Sequence, residues 1–545
     1  MNWDGIIKHF RWAEFAIPPM NGATVGRNYK FRPATKLMKH LWDEQPLVLI
    51  MSLAIVFRLL AAIFAKGWGM LDDHFLVIEA PQSWVDGKDY NAWLPHSQQN
   101  PAPTGHNFFY PGFHYLLFTL MKWLHFNDPQ AKMLVVRLLH GAFSLITVLY
   151  GYRITETLAG KKPARLAGIL LAVYFFMPWL SVRNLVESVC IPFLLLGFWQ
   201  MTKPGKVPGI FRSWFLAGIF FGLAMDIRYQ SVLFPAGILL LLAFQRKWKE
   251  SAGIITGILC SFLAVQTLID LFIWGYPFAE FIGYIRVNIT DRYSYINLPW
   301  YNYFLTVGGI LLPPVSLFLL YGFIRGWRDH LLLFFPAALF FAFHSYFPNK
   351  QERFILPFIP LFIILGVTGY YQYIVPSGFW KRRAKLLHGC WIFFWAVNLI
   401  LLAGITFMYS KRAKVESMYH LSKYPYVRMF VNIDEAWHVP ISPLFYTGKW
   451  PDYPEERSGD TSIYRRVAAM AKGPKFDHPQ FFLFTGGKDL TRRVGQARAL
   501  FPHLVYETTI EPGFIDKLMH RLNPVNKADE IYIYRNREFY TNKIE

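Results

Sequence analysis

Apolar runs long enough to cross a bilayer recur along this chain, and they restrict its fold more than any other feature. A helix needs about 20 mostly apolar residues to span the hydrocarbon core. Runs approaching or exceeding that length fall at residues 47–66, 131–151, 164–182, 188–201, 213–227, 231–245, 252–274, 302–324, 331–347, 354–374 and 387–409. In lipid each backbone N–H and C=O must be satisfied internally, so these runs read as about eleven transmembrane helices. Composition agrees, with 54% of the 545 residues hydrophobic and 17% charged; soluble domains carry about 25% charge. The expected fold class is mainly α, a polytopic membrane helix bundle.

The net charge of +21 does not point to nucleic acid, because the basic residues sit in short clusters between spans. That placement is the positive-inside pattern. The run 108–126 decides the sidedness. It is long enough to cross, but it starts at Tyr110-Pro111-Gly112 and carries His114, Lys122 and His125. If it lies in the interface as an amphipathic helix, the clusters at Lys161-Lys162, Lys203 and Lys206, Arg246-Lys247-Trp248-Lys249, Arg325 and Arg328, and Lys381-Arg382-Arg383 all face the cytoplasm. If it crosses, every later cluster lands on the wrong side. The first arrangement is therefore expected, with a long external loop at 67–130 whose bends Gly87, Pro111 and Gly112 allow closure.

This gives a cytoplasmic segment at 1–46, a transmembrane module at 47–409 and an external domain at 410–545. The first 45 residues are polar, with scattered Lys and Arg; no cleavable signal peptide is expected, and the first span is expected to direct insertion. In the last part of the chain, 464–470 and 490–500 read as helices and 480–485, 504–509 and 530–534 as short strands, with Gly486-Gly487 ending the first strand. A small α/β domain is expected there. The three cysteines, Cys190, Cys260 and Cys390, lie in apolar segments and suggest neither a disulfide framework nor a metal site.

Ionisable residues at the mouths of spans are rare and usually functional. The first span runs into Asp72-Asp73, with Glu79 one helical stretch later. A carboxylate placed there suits abstraction of a proton from a hydroxyl, although solvated loop carboxylates or a helix cap would look the same. Arg183, Asn184 and Glu187 form a second group at a span mouth, where Arg183 suits either a local ion pair or a phosphate. A third, Asn349-Lys350-Gln351-Glu352-Arg353-Phe354, separates two very apolar runs. Charges so dense between spans need partners or a ligand such as a phosphate, the alternative being snorkelling anchors. Arg228 and His344 are candidate neighbours, and Arg58, within the first span, is expected to pair inside the bundle.

Four stretches in order resemble the membrane mannosyltransferases of glycosyltransferase family 22, in the GT-C superfamily. Phe57-Arg58-Leu59 followed by Asp72-Asp73 and Glu79 resembles the family's F-R-L and D-E with a following E. Arg183-Asn184 with Glu187 is similar to R-x-x-N-x-x-E, with altered spacing. Gly222-Leu223 through Arg228 looks like G-L-x-x-x-x-R-P, and Asn349-Lys350-Gln351-Glu352-Arg353-Phe354 like H-K-E-x-R-F. Departures are Leu71 for Pro, Asp73 for Glu, Leu76 for Gln, Tyr229 for Pro and Asn349 for His; His438-Val439-Pro440 only faintly echoes a C-terminal family stretch.

The resemblance implies a GT-C-like bundle and an inverting, single-displacement transfer of a sugar, mannose by default, from a polyprenyl-phosphate donor to a lipid-linked or glycan acceptor. It implies Asp72 as general base and Asp73 as positioning partner, with Lys350 and Arg353 on the donor phosphate, helped by Arg228 and Arg183. Glu79, Asn184, Glu187, Glu352, Arg58 and His344 take structural or positioning parts. No cofactor or metal is implied, because cations can neutralise the leaving phosphate; Glu187 beside Asp72 leaves a divalent metal open, as in the related oligosaccharyltransferases. The rival readings are a transporter, which would place charges near mid-bilayer in repeated halves, and an inactive assembly scaffold. A single external Asn-x-Ser/Thr site, Asn288-Ile289-Thr290, favours a bacterial inner membrane with a periplasmic C-terminus over an endoplasmic-reticulum membrane with a luminal one.

Overall fold

The structure, a computed structural model, describes residues 33–90, 92–95, 102–103, 105–204, 210–291, 293, 296–434, 442–457, 461–524 and 526–539. His438-Val439-Pro440 and residues 1–32 of the N-terminal segment lie outside the described residues. The chain divides into two units. The first holds the described residues up to Ala62, Leu94–Tyr110 and Arg137–Thr406; the second holds Ile63–Trp93, Pro111–Val136 and the described part of Phe407–Glu545.

The first unit is helical. Among the described residues, five stretches are long and apolar enough to cross a membrane: Pro46–Phe64, Pro129–Ala159, Trp248–Ile273, Glu352–Ile374 and Ala384–Thr406. Shorter apolar helices cover Val186–Thr202, Tyr229–Phe244, Val315–Arg325 and Leu331–Tyr346. The protein is an integral membrane protein, mostly α-helical. Glycines let helices approach closely: a Cβ on Gly322 would lie 2.3 Å from the Gly366 carbonyl oxygen, and one on Gly369 would lie 2.1 Å from that of Gly322. Close backbone contact through small residues is the usual means of packing helices in lipid.

Two of the expected spans are not single helices. The run 164–182 gives Lys161–Val173 and then a separate turn, Met177–Leu180. The run 302–324 gives Asn302–Ile310 and Val315–Arg325, interrupted at Leu312-Pro313-Pro314, where consecutive prolines cannot donate to the helix. Both breaks are satisfied from elsewhere in the unit. Arg58 donates to the carbonyls of Leu171 and Ala172 at 3.4 and 3.1 Å. Asn398 donates to Val173 O and accepts from Phe175 N–H, each at 2.9 Å. The Tyr174 hydroxyl donates to Leu311 O at 2.5 Å, at the other break. A broken helix at membrane depth persists where such partners replace the lost backbone bonds.

The second unit is built on a five-stranded sheet: β1 Phe430–Asp434, β2 Glu455–Arg457, β3 Phe481–Thr485, β4 Leu504–Ile510 and β5 Ile531–Asn536. Their spatial order is β2-β1-β3-β5-β4, with β1 parallel to β2 and β3, and β5 antiparallel to β3 and β4. Central β3 is buried along its whole length, as an unbroken Phe-Phe-Leu-Phe run requires. Its Phe482 and Phe484 join Val431, Ile433, Val467, Val494, Ala497, Phe501 and Leu504 in one core, closed by helices Thr461–Lys472 and Leu490–Leu500. Buried Arg493 donates to the carbonyls of Thr485, Gly486 and Lys488, holding the turn after β3.

Candidate functional site

In the first unit the cations gather around Glu187. This residue lies in the first turn of helix Val186–Thr202, where a helix N-terminus favours negative charge, and it is fully buried. Arg228 Nη1 lies 3.2 Å and Arg353 Nε 3.6 Å from the same Oε1 of Glu187. Both guanidiniums also face the Phe354 ring, at 4.9 and 5.5 Å. Arg228 follows the end of helix Ile210–Ile227, and Arg353 opens the Glu352–Phe358 turn, so the loops at two helix ends deliver them. Arg353 Nε is further fixed by Gln351 Oε1 at 2.7 Å. Two cations share one carboxylate, so the trio keeps a net positive charge. Among the described residues Arg228 Nη2 is buried without a hydrogen-bond partner. Such an arrangement suits a bound anion.

The other candidates of this unit have contacts of their own. Buried Lys350 donates to Phe347 O and lies 5.9 Å from the Tyr303 ring; burial lowers the pKa of its ammonium. Arg183 is buried and stacks on Trp179 at 4.6 Å, next to buried Asn184. His344 is buried with Nδ1 2.9 Å from Phe340 O. Glu352 is exposed to solvent. Arg58, expected to pair inside the bundle, donates to Ser144 Oγ at 2.7 Å and to the carbonyls of Ala172 and Leu171 at the helix break.

The second unit carries the acidic pair. Asp72–His74, the π-turn Phe75–Glu79 and Ala80–Val85 form one continuous helical stretch, and both aspartates sit in its first turn. Asp73 is buried, and its carboxylate accepts the backbone N–H groups of Gly69 and Met70 at 3.0 and 3.1 Å. Asp72 is half-buried. Glu79 is fully buried and accepts the Phe445 N–H at 3.0 Å. Its Oε2 lies 3.6 Å from His74 Nε2. The His74 ring is stacked between Trp68 at 4.8 Å and Tyr446 at 5.4 Å.

Trp68, His74 and Tyr446 were not among the sequence candidates; a His next to the acidic pair was the only cue, and Tyr446 lies too far along the chain to associate with it. A buried network in the first unit was missed as well. Gln266 donates to Asp270 at 2.9 Å and Glu280 at 3.2 Å, and accepts from Asn107 at 2.9 Å and Tyr229 at 2.7 Å. Glu280 also accepts the Phe108 N–H at 3.1 Å. Burial, and then the nearby Asp270 charge, push the Glu280 carboxyl up to about 7. Among the described residues no group of three or more His, Cys, Asp or Glu side chains is placed to hold a metal ion.

A model of the Alg9-like mannosyltransferase family matches residues 49–443, well over half of the chain. The chain belongs to that family. Among its relatives, Mannosyltransferase APTG1 of Arabidopsis thaliana is 22% identical over 332 residues, 59% of this chain and 58% of that protein. The "Probable Dol-P-Man:Man(7)GlcNAc(2)-PP-Dol alpha-1,6-mannosyltransferase" of Schizosaccharomyces pombe is 27% identical over 220 residues, 38% of this chain and 40% of that one. The matches thus span under two thirds of either relative. ArnT of Cupriavidus metallidurans, solved bound to undecaprenyl phosphate, superposes with a TM-score of 0.56 at 13% identity, covering 91% of this chain and 99% of ArnT. That likeness shows a shared fold.

Proposed function

We propose that the protein is a membrane glycosyltransferase that moves mannose from a polyprenyl-phosphate donor to a lipid-linked or glycan acceptor, with inversion. The family supports the sugar, and a polyprenyl phosphate matches what ArnT was solved with. The observation that carries the reading is the Glu187 group, in which Arg228 and Arg353 share one buried carboxylate and Arg228 keeps an unused buried donor. In the reaction, the acceptor hydroxyl oxygen attacks the anomeric carbon from the face opposite the phosphate. Asp72 takes the hydroxyl proton, and the bond to phosphate oxygen breaks with its electron pair leaving on the polyprenyl phosphate. Arg228, Arg353 and Lys350 hold that phosphate as charge builds on it, with Arg183 in support. Asp73, tied to its own loop by two backbone amides, positions the turn that carries Asp72. No metal is needed in this scheme.

The finer membrane arrangement is part of the same proposal: about eleven spans, the C-terminal domain external, and a bacterial inner membrane with that domain in the periplasm. The donor-phosphate role is tested by Arg228→Ala in reconstituted protein. Loss of one cation aimed at developing charge is expected to lower kcat/KM by about 10²–10³. Competition by free polyprenyl phosphate should weaken in parallel. Unchanged kcat/KM and competition would remove Arg228 from the donor site.

A further inference from the structure

Helix Phe514–Leu522 buries none of its residues. Its apolar side chains, Phe514, Ile515, Leu518, Met519 and Leu522, recur at i, i+1, i+4, i+5 and i+8, which gathers them on one face. Phe514 is 79% and Leu522 73% exposed. The opposite face carries Asp516, Lys517, His520 and Arg521, with Lys527 just beyond. An isolated exposed Leu is ordinary, but a whole helical face of large apolar residues marks an interaction surface.

The same unit shows where this helix is fastened. Phe64, the last residue of one candidate span, packs against Phe407, which follows the end of another, with ring centroids 5.1 Å apart and the planes tilted by 52°. From there Ser410 N–H donates to Lys66 O at 3.1 Å. The next residue, Lys411, donates its N–H to Asp516 in the first turn of the helix at 3.2 Å. Gly513 lies so close to Tyr409 that a Cβ there would be 2.7 Å from its carbonyl oxygen. Arg412 donates to Glu511 O at 3.0 Å. The start of the helix is therefore tied directly to the residues where two spans leave the apolar phase.

We propose that helix Phe514–Leu522 lies in the bilayer surface, its Phe514–Leu518–Leu522 face among acyl chains and its Lys517, Arg521 and Lys527 cations at anionic headgroups. A short amphipathic helix binds a membrane weakly alone, but a helix already tethered at a membrane exit loses little further freedom on docking. Basic side chains beside the apolar face match the negative surface of an anionic leaflet. This inference rests on the integral-membrane character of the chain and not on the transfer reaction.

The test is site-directed spin labelling of the full chain in proteoliposomes of phosphatidylcholine and phosphatidylglycerol. Cys190→Ser, Cys260→Ser and Cys390→Ser provide the background, with single labels at Phe514→Cys, Leu522→Cys and His520→Cys. All three labelled positions are exposed, so none should disturb the core. Labels at 514 and 522 are expected to favour collisions with oxygen over a water-soluble nickel chelate by several-fold relative to the label at 520. Equal nickel access at all three positions would overturn the proposal. Labels at 514 and 522 shielded from both reagents, with dipolar broadening, would assign the face to a second copy of the chain and overturn it equally.

Discussion

At the residue scale, the two aspartates that open the Asp72–Val85 helical stretch differ in surroundings. Asp73 spends both carboxylate oxygens on the Gly69 and Met70 amides, whereas Asp72 is half-buried at the start of a helical stretch. Asp73→Ala is therefore expected to act through stability, since each buried amide left without its partner costs about 1–3 kcal/mol. A thermal melt of the solubilised protein should show that loss before any kinetic effect is read. Unchanged melting would mean that Asp73 does not hold the turn. The sequence made the acidic pair visible because two carboxylates at a span mouth are conspicuous. The amides that distinguish them come from Gly69 and Met70, whose side chains advertise nothing.

At the element scale, the breaks at Val173 and Leu311 are held by side chains from distant helices. Arg58→Met would leave the carbonyls of Leu171 and Ala172 without this donor while keeping a comparable apolar stem. A loss of about 2–6 kcal/mol is expected, at about 1–3 kcal/mol for each orphaned group. An unchanged melting temperature would show that other groups take over. Hydropathy located both runs but could not show that they are broken, because Leu-Leu-Pro-Pro is as apolar as a continuous span. The terminal sheet shows the same limit: Phe481–Thr485, Leu504–Ile510 and Ile531–Asn536 were legible from alternating or continuous apolar runs. Three-residue β2 and the mixed Phe-Val-Asn-Ile-Asp of β1 carry no such pattern and form by pairing. Gly67 and Gly87 offer a matched comparison, with φ of +78° and +74°. A Cβ on Gly67 would sit 1.8 Å from Ser410 O, and one on Gly87 meets nothing within 4 Å. Gly87→Ala should cost only the left-handed strain, about 1–2 kcal/mol. Gly67→Ala should cost clearly more, and equal melting temperatures would deny the close approach.

At the scale of the whole molecule, pH enters through Glu280. Its carboxyl is pushed up from 4.5 to about 7 by burial first and the Asp270 charge second. The folded chain therefore holds this proton more tightly than the unfolded chain does. Between about pH 4.5 and 7 the unfolded state releases it while the folded state keeps it, so this group's contribution falls as pH rises through that window. Facing groups are Asp270, Tyr229, Gln266, Asn107 and Trp274, none of them cationic. Glu280→Gln should remove that part of the pH dependence of melting between pH 5 and 8. Retention of the full slope would exclude Glu280 as its source. Nothing in the sequence marked this network, because Asn107 is far along the chain from Gln266 and Glu280 and meets them only through the fold.

The central claim is transfer from a polyprenyl-phosphate sugar with Asp72 as base. Its most direct measurement is incorporation of radiolabelled mannose from polyprenyl-phosphate-mannose into lipid or glycan acceptors by reconstituted protein, comparing the native chain with Asp72→Asn. The expected result is label transferred by the native chain and a kcat lower by about 10²–10⁴ in the variant, the usual contribution of a positioned base, with donor KM little changed. Full transfer by Asp72→Asn would contradict the assignment of the base, and no transfer by the correctly inserted native chain would contradict the donor.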